Sequence, residues 1–265
     1  LYKVPLNFEK DKLGMKILNE FNIKPKKSKS WTKWSKLVNI IENPPKRIKI
    51  AMIGKYLDIG EFSLKDSYIS VNQAIEHAAC NNNVGVDVSW IQSSDIDGNF
   101  VKKGGLKNYS GFIVPGGFGT KGIEGKIEVI KYARENKIPY LGLCFGLQLA
   151  VVEYSRNACG LSNAHSTEFD KKTPHPVIDF IPEQVKILQE SRYGATMRLG
   201  AYPADIKKGT IIHDLYISEK VSERHRHRYE VNPEYVEKLE GCGLVFPGRS
   251  PDGVLMEFME LPKHP

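Results

Sequence analysis

The sequence predicts an α/β fold, with a mostly parallel central sheet and helices on both faces. Three observations predict it. Short apolar runs closed by glycine alternate with stretches that carry apolar residues at helical spacing. Two glycine-rich turns, Gly116–Gly119 and Gly142–Gly146, each follow such a run and precede such a stretch. The chain has 265 residues, 41% of them hydrophobic and 26% charged, which is enough for one or two domains with sizeable cores.

The elements follow in order. Residues 1–47 are rich in Lys and Asn and end in Asn43-Pro44-Pro45, a boundary signal that separates them from a domain over 48–265. Ile48-Lys49-Ile50-Ala51-Met52-Ile53, closed by Gly54, reads as a strand. Asp66 caps an expected helix with Tyr68, Val71, Ile75 and Ala78 on one face. Val84, Val86, Val88 and Trp90 alternate as a strand. Gly111-Phe112-Ile113-Val114 is a buried strand that ends at Pro115-Gly116-Gly117, and Ile123, Ile127 and Ile130 mark the next helix. Ile138 to Leu143 then leads into Cys144. Behind it Leu147, Ala150, Val151 and Tyr154 recur at i, i+3, i+4 and i+7, with Gly160 as a stop. Ligands of such sheets bind at the carboxyl ends of the strands, where both glycine turns lie.

Composition excludes several classes. No run of about 18 uncharged apolar residues exists to cross a membrane as a helix. The formal charge of +7 comes from 38 Lys and Arg against 31 Asp and Glu. Lys24, Lys26, Lys27, Lys29, Lys33 and Lys36 cluster early, followed by Lys46, Arg47 and Lys49. A solvated linker explains that run better than a nucleic-acid surface, because only Trp31 and Trp34 interleave with it, and both are expected to pack. Leu1-Tyr2-Lys3-Val4-Pro5 has neither an initiator Met nor a signal-peptide pattern, so a piece of a longer protein is expected. Cys80, Cys144, Cys159 and Cys242 form no C-x-x-C, which speaks against zinc, thioredoxin chemistry and a disulfide scaffold. Free thiols in a reducing compartment are expected.

Among these cysteines, Cys144 stands in Gly142-Leu143-Cys144-Phe145-Gly146, the G-x-nucleophile-x-G form with Cys in place of Ser. A turn that sharp strains the central residue and projects its side chain, and the small flanking residues let the backbone pass close to itself. The helix that starts after Cys144 is expected to favour the thiolate, and the Phe145 N–H to point where an oxyanion would form. A small buried cysteine between two packing glycines is the plain structural alternative. Gly117-Phe118-Gly119-Thr120-Lys121-Gly122 matches G-x-G-x-x-G, but the acid expected after the next strand is missing, so a dinucleotide site is disfavoured. The same glycines suit a bare backbone that approaches Cys144 and donates an N–H, or a plain turn.

Several segments together resemble the glutaminase domains of the CTP synthase family, which are class I, triad-type glutamine amidotransferases. They are Val114-Pro115-Gly116-Gly117-Phe118-Gly119, Ile123-Glu124-Gly125-Lys126-Ile127, Leu141 to Gln148, Glu153 to Asn157, Asn163 to Phe169, Thr196 to Gly200, and Glu223 to Asn232. The likeness runs from about residue 48 to the end, and residues 1–47 resemble the tail of that family's synthetase domain with its linker. The resemblance implies that Cys144 attacks the carboxamide of glutamine while Gly117 and Phe145 N–H groups hold the oxyanion. It places Gly117, Phe145, Gly146, Leu147, Gln148, Glu168 and Arg228 around the substrate, with Glu168 meeting the α-ammonium and Arg228 the α-carboxylate.

The resemblance also implies a pathway. Ammonia passes to a synthetase domain that aminates UTP to CTP with ATP and Mg2+, and GTP activates the glutaminase step. No cofactor or metal is expected in this stretch, and a cytoplasmic homo-oligomer, a tetramer, is expected of the full protein. In the family the general base is the His of a His-Pro-Glu segment. Here the sequence reaches only His264-Pro265, matching an earlier His-Pro, which leaves two readings: a base in residues beyond Pro265, the favoured expectation, or a chain that lacks its base. His225 and His227 are formal candidates. Arg224, Arg226 and Arg228 share one strand face and His225 and His227 the other. Other cysteine hydrolases on this fold, and a glutamine- or nucleic-acid-binding module, are the alternatives.

Overall fold

The computed structural model describes residues 1–26, 30–54, 58–59, 62–63, 68–117, 119–180 and 197–265. Asp66, Lys27, Lys29, Phe118 and Thr196, which the sequence reading singles out, lie outside the described residues. The described chain forms two compact units: Leu1–Lys49 with Leu64–Asp87, and Ile50–Ser63 with Val88–Pro265.

In the first unit the helices are α1 (Val4–Lys10), α2 (Leu13–Glu20), α3 (Thr32–Glu42) and α4 (Ile69–Asn81). Polar contacts of Tyr2, which precedes α1, tie it to α3 and α4. Its hydroxyl donates to Gln73 Oε1 at 2.5 Å, and its carbonyl accepts from Trp34 Nε1 at 2.9 Å. Trp34 packs as expected, but Trp31 does not, being 38% exposed. Lys33 and Lys36 are exposed, as a solvated face requires.

Strand β1 (Arg47–Gly54) opens a parallel sheet, and β2 (Asp58–Ile59) and β3 (Phe62–Ser63) form a small antiparallel pair. Then come β4 (Gly85–Gln92), α5 (Gly98–Lys102), β5 (Gly111–Val114), α6 (Ile123–Glu135), β6 (Tyr140–Gly142) and α7 (Phe145–Asn157). The sheet order is β4-β1-β5-β6. β5 runs parallel to β1, with Met52 opposite Ile113, and parallel to β6, with Val114 opposite Gly142. Strands buried on both sides are continuously apolar, and all four residues of β5 are buried. Ala51, Ile53, Phe112, Val114, Val151 and Val152 meet in one core. Full burial of a residue such as Phe112 stabilises the fold by about 1.5–3 kcal/mol.

The C-terminal half adds further sheets beside the parallel one. It contains β7 (His165–Ser166), β8 (Pro176–Phe180), β9 (Arg198–Ile206), α8 (Ile211–Tyr216), β10 (Lys220–His227), β11 (Tyr229–Val231), α9 (Pro233–Gly241), β12 (Val245–Arg249) and β13 (Met256–Glu260). A second four-stranded sheet, β10-β9-β12-β13, is antiparallel throughout. A third, β11-β8-β7, is mixed. β9 and β10 pair antiparallel along their whole length, from Lys220 opposite Asp205 to His227 opposite Arg198.

Candidate active site

Two neighbouring parallel strands, β5 and β6, deliver the turn that carries Cys144. β6 ends at Gly142, and Leu143 N–H donates back to the Val114 carbonyl at the end of β5 at 2.9 Å. The chain enters α7 at Phe145, and Cys144 is the N-cap residue with φ 53° and ψ −101°. A non-glycine residue at positive φ is held there only when its surroundings over-determine it. Here the flanking glycines do so. A Cβ on Gly142 would meet the Gly146 carbonyl oxygen at 2.7 Å, and one on Gly146 would overlap the Val114 carbonyl. Tyr140 Oη donates to the Gly146 carbonyl at 2.8 Å and braces the same turn.

Cys144 is exposed, and its thiol donates to the Arg226 carbonyl at 3.9 Å. The expectation of a thiolate needs correction. The residue as a whole keeps solvent access, but protein packed around the sulfur desolvates it and pushes the thiol up to about 11. The Phe145 N–H pulls the other way, but it is outweighed, and the negative charges of Glu230 and Glu168 push further. A single helix N-terminus does not offset desolvation plus two nearby carboxylates.

A cavity of about 230 Å³ opens beside the sulfur. Gly117 lines it from the loop after β5, Cys144 and Gln148 from the start of α7, and Glu168 from the turn after β7. Met197 and the Arg226-to-Tyr229 stretch, where β10 bends into β11, complete it. The volume is below the ~300–1,000 Å³ of sites for drug-sized ligands and suits a smaller molecule. Gln148 is held by donating from Nε2 to the Tyr229 carbonyl at 2.7 Å, and the Ser166 hydroxyl accepts from Glu168 N–H at 3.2 Å. Arg228 is exposed at the bend. The arrangement therefore places an acid and a guanidinium in the same small cavity as the sulfur.

Gly117 lies beside the nucleophile's turn. A Cβ on the adjacent Gly116 would sit 3.6 Å from Cys144 Cβ and 4.0 Å from Sγ, an ordinary contact. Phe145 takes part through its N–H alone, because its ring is buried against Phe169, 5.5 Å between centroids. Gly146 and Leu147 do not line the cavity: Gly146 is packed on Val114, and Leu147 packs against the core.

Of the two candidate bases, His227 lines the cavity and His225 lies behind it, with 2.8 Å between His225 Nδ1 and His227 Nε2. Burial, and then its neighbour His225, push His227 down to about 4; burial lowers His225 also. An imidazole at about 4 is a poor acceptor for a proton held by a thiol at about 11. His264 is elsewhere, with Nε2 3.1 Å from the Ala133 carbonyl. The sequence reading missed what stands behind this wall. Arg198, buried, pairs with Glu230 at 2.8 Å and Glu257 at 2.7 Å, while His227 reaches Glu230 at 3.3 Å and His225 reaches Glu257 at 3.5 Å. Met197 and Tyr229 were also missed as lining residues. The only signal for Met197 and Arg198 was their place in a resembling segment, with no role attached.

Comparison with known proteins matches this architecture. The family model described as glutamine amidotransferase class-I covers residues 63–265. A CTP synthase of Methanocaldococcus jannaschii is 47% identical over 270 residues, covering 100% of this chain and 48% of that protein. One from Archaeoglobus fulgidus is 47% identical over 267 residues, covering 100% of this chain and 47% of that protein. The chain thus spans about half the length of these relatives. A solved structure described as the glutaminase domain of Trypanosoma brucei CTPS with bound acivicin superposes with a TM-score of 0.69 at 36% identity, covering 81% of this chain and 79% of that one. The chain belongs to the class-I glutamine amidotransferase family.

Proposed function

We propose that this chain is the glutaminase part of a CTP synthase and hydrolyses L-glutamine at Cys144. One observation carries the reading. The sulfur sits at a strained strand-to-helix turn and opens on a cavity that also holds Glu168 and Arg228. Free glutamine presents one ammonium and one carboxylate, so a pocket with one charge of each sign is its complement. In this reading Glu168 takes the ammonium, Arg228 the carboxylate, and Gln148 lines the side-chain channel.

The sulfur of Cys144, once deprotonated, bonds to the carboxamide carbon, and the carbonyl electron pair moves to oxygen. Gly117 and Phe145 N–H groups hold that oxyanion. The pair returns, the C–N bond breaks, and the nitrogen takes a proton and leaves as ammonia. Water then attacks the thioester, releasing glutamate and the thiol. The base is proposed to be the His of the family's His-Pro-Glu segment, since His227 holds its proton too weakly to serve.

Ammonia would feed a synthetase part of the same protein, which phosphorylates UTP with Mg2+ and ATP and aminates it to CTP, with GTP as activator. The family resemblance further suggests a cytoplasmic homo-oligomer. No helix among the described residues is long and apolar enough to cross a membrane. The test uses the full-length protein. Glutamate and ammonia appear in equal amounts from glutamine, CTP forms from UTP and ATP, and both activities vanish in Cys144→Ala. Retention of glutamine hydrolysis in that variant would overturn the reading.

A further inference from the structure

Lys126 is among the most buried side chains of the described residues, at 1% exposure, although its only mark in the sequence is its place in a resembling segment, with no role attached. It stands in the first turns of α6, where the helix dipole disfavours a cation. Burying an ammonium carries a heavy desolvation penalty. A residue needed only for packing at this place would be apolar, as its neighbours Ile123, Ile127 and Ile130 are. Two of its neighbours belong to the turn that carries Cys144 and to the loop beside it. Nζ lies 4.9 Å from the centroid of the Phe145 ring, in cation–π contact. The same atom is 3.8 Å from where a Cβ on Gly117 would stand. One ammonium therefore packs over the Phe145 ring and lies close behind the backbone at Gly117.

We propose that Lys126 is a positioning residue for the oxyanion site, fixing Phe145 and Gly117 and placing a full positive charge behind their N–H groups. The inference rests on the glutaminase reading and deepens it. Negative charge on the carboxamide oxygen exists in the tetrahedral intermediate and not in bound glutamine, so a charge placed here acts on the reaction rather than on ground-state binding. Cation–π contact with Phe145 supplies the geometric half of the role, because a Phe145 ring held in place fixes the N–H on the same residue.

The experiment compares wild type, K126M, K126Q and K126R in the full-length protein. It measures kcat and KM for glutamine, and inhibition by glutamate γ-semialdehyde. That aldehyde is attacked by the Cys144 sulfur: an S–C bond forms, the carbonyl pair moves to oxygen, and oxygen takes the thiol proton. The resulting thiohemiacetal puts its oxygen where the oxyanion forms. The expected result is a fall in kcat of about tenfold to a hundredfold in K126M and K126Q, below the ~10²–10³ of deleting a donor outright. KM stays within about threefold, the aldehyde weakens by the same factor as kcat, and K126R recovers part of the loss.

Unchanged kcat in K126M overturns the proposal. So does an equal loss of affinity for glutamine and the aldehyde, which would mean a collapsed pocket. Failure of both K126M and K126Q to fold would show a structural lysine and overturn it too. A wild type that neither hydrolyses glutamine nor binds the aldehyde sinks the glutaminase reading itself, a result distinct from a normal wild type beside an unaffected K126M.

Discussion

Gly146 is packed so closely on Val114 that a single added carbon would overlap the Val114 carbonyl oxygen. That carbonyl also accepts the Leu143 N–H at 2.9 Å, so the end of β5, the elbow and the first turn of α7 form one unit. Neither partner is a flexible side chain that could yield. Gly146→Ala therefore forces the backbone to move, and overpacking of this kind costs about 1–3 kcal/mol. Urea unfolding should show that loss, and alkylation of Cys144 should slow at least tenfold as the sulfur leaves its cavity. A variant as stable and reactive as the wild type would refute the close approach.

The thiol's elevated value makes a pH prediction with a definite sign. Only the thiolate reacts, so alkylation of Cys144 should quicken about tenfold per pH unit from neutrality toward about 11. Glu168 and Glu230 raise the value by repelling the thiolate, so Glu168→Gln should shift the profile to lower pH. The α-ammonium of a bound glutamine-like ligand, paired with Glu168, should shift it the same way. A profile that levels off by pH 8 in the free protein, or moves upward in Glu168→Gln, contradicts this electrostatic account.

Arg198 offers a stability test. Glu230 is buried, and burial pushes it up to about 7 against the pull of Arg198. Its folded value lies above its unfolded one of about 4.5, so the native state keeps a proton that the unfolded chain has lost. Stability therefore falls as pH rises between those values. Arg198→Met leaves both Glu230 and Glu257 buried without their cation, a loss of about 3–5 kcal/mol at neutral pH. The decline with pH should steepen and reach higher pH, and acidification toward pH 5 should recover part of the loss. Equal destabilisation at pH 5 and pH 8 would show that packing, and not charge, is what Arg198 supplies.

Recognition of the amino acid predicts two separable losses. Glu168→Gln and Arg228→Met each remove one charge-assisted contact, worth about 1.5–3 kcal/mol. Protection of Cys144 by glutamine should weaken about 10- to 150-fold in each, read as the glutamine concentration that halves the alkylation rate. Unaltered protection in both variants would remove these residues from the site.

Much of the parallel sheet and its turn was legible in the sequence because the signals are local. Continuous apolar strands, glycines that admit close backbone approach, and a helical period behind Cys144 all lie within a few residues of one another. Glu168 and Arg228 were legible only through resemblance, since a loop acid and an exposed arginine at a bend have no periodicity of their own. The antiparallel pairing of β9, β10, β12 and β13 was not foreseen, although a strand at Arg224–Arg228 was, because β10 alternates exposed and half-buried residues without a clean apolar face. Lys126 and Arg198 were missed for a shared reason. A lysine on a helix and an arginine on a strand read as solvated, and only long-range packing shows them buried. The thiol's protonation was misjudged because the helix terminus is visible in the sequence and desolvation is not.

The most direct test of the central claim is site-mapped labelling with a chloroketone built on the glutamine skeleton. The account predicts modification of Cys144, slowed in proportion to added glutamine, with Cys80, Cys159 and Cys242 untouched. Labelling spread over the four cysteines, or a Cys144 rate indifferent to glutamine, would contradict it.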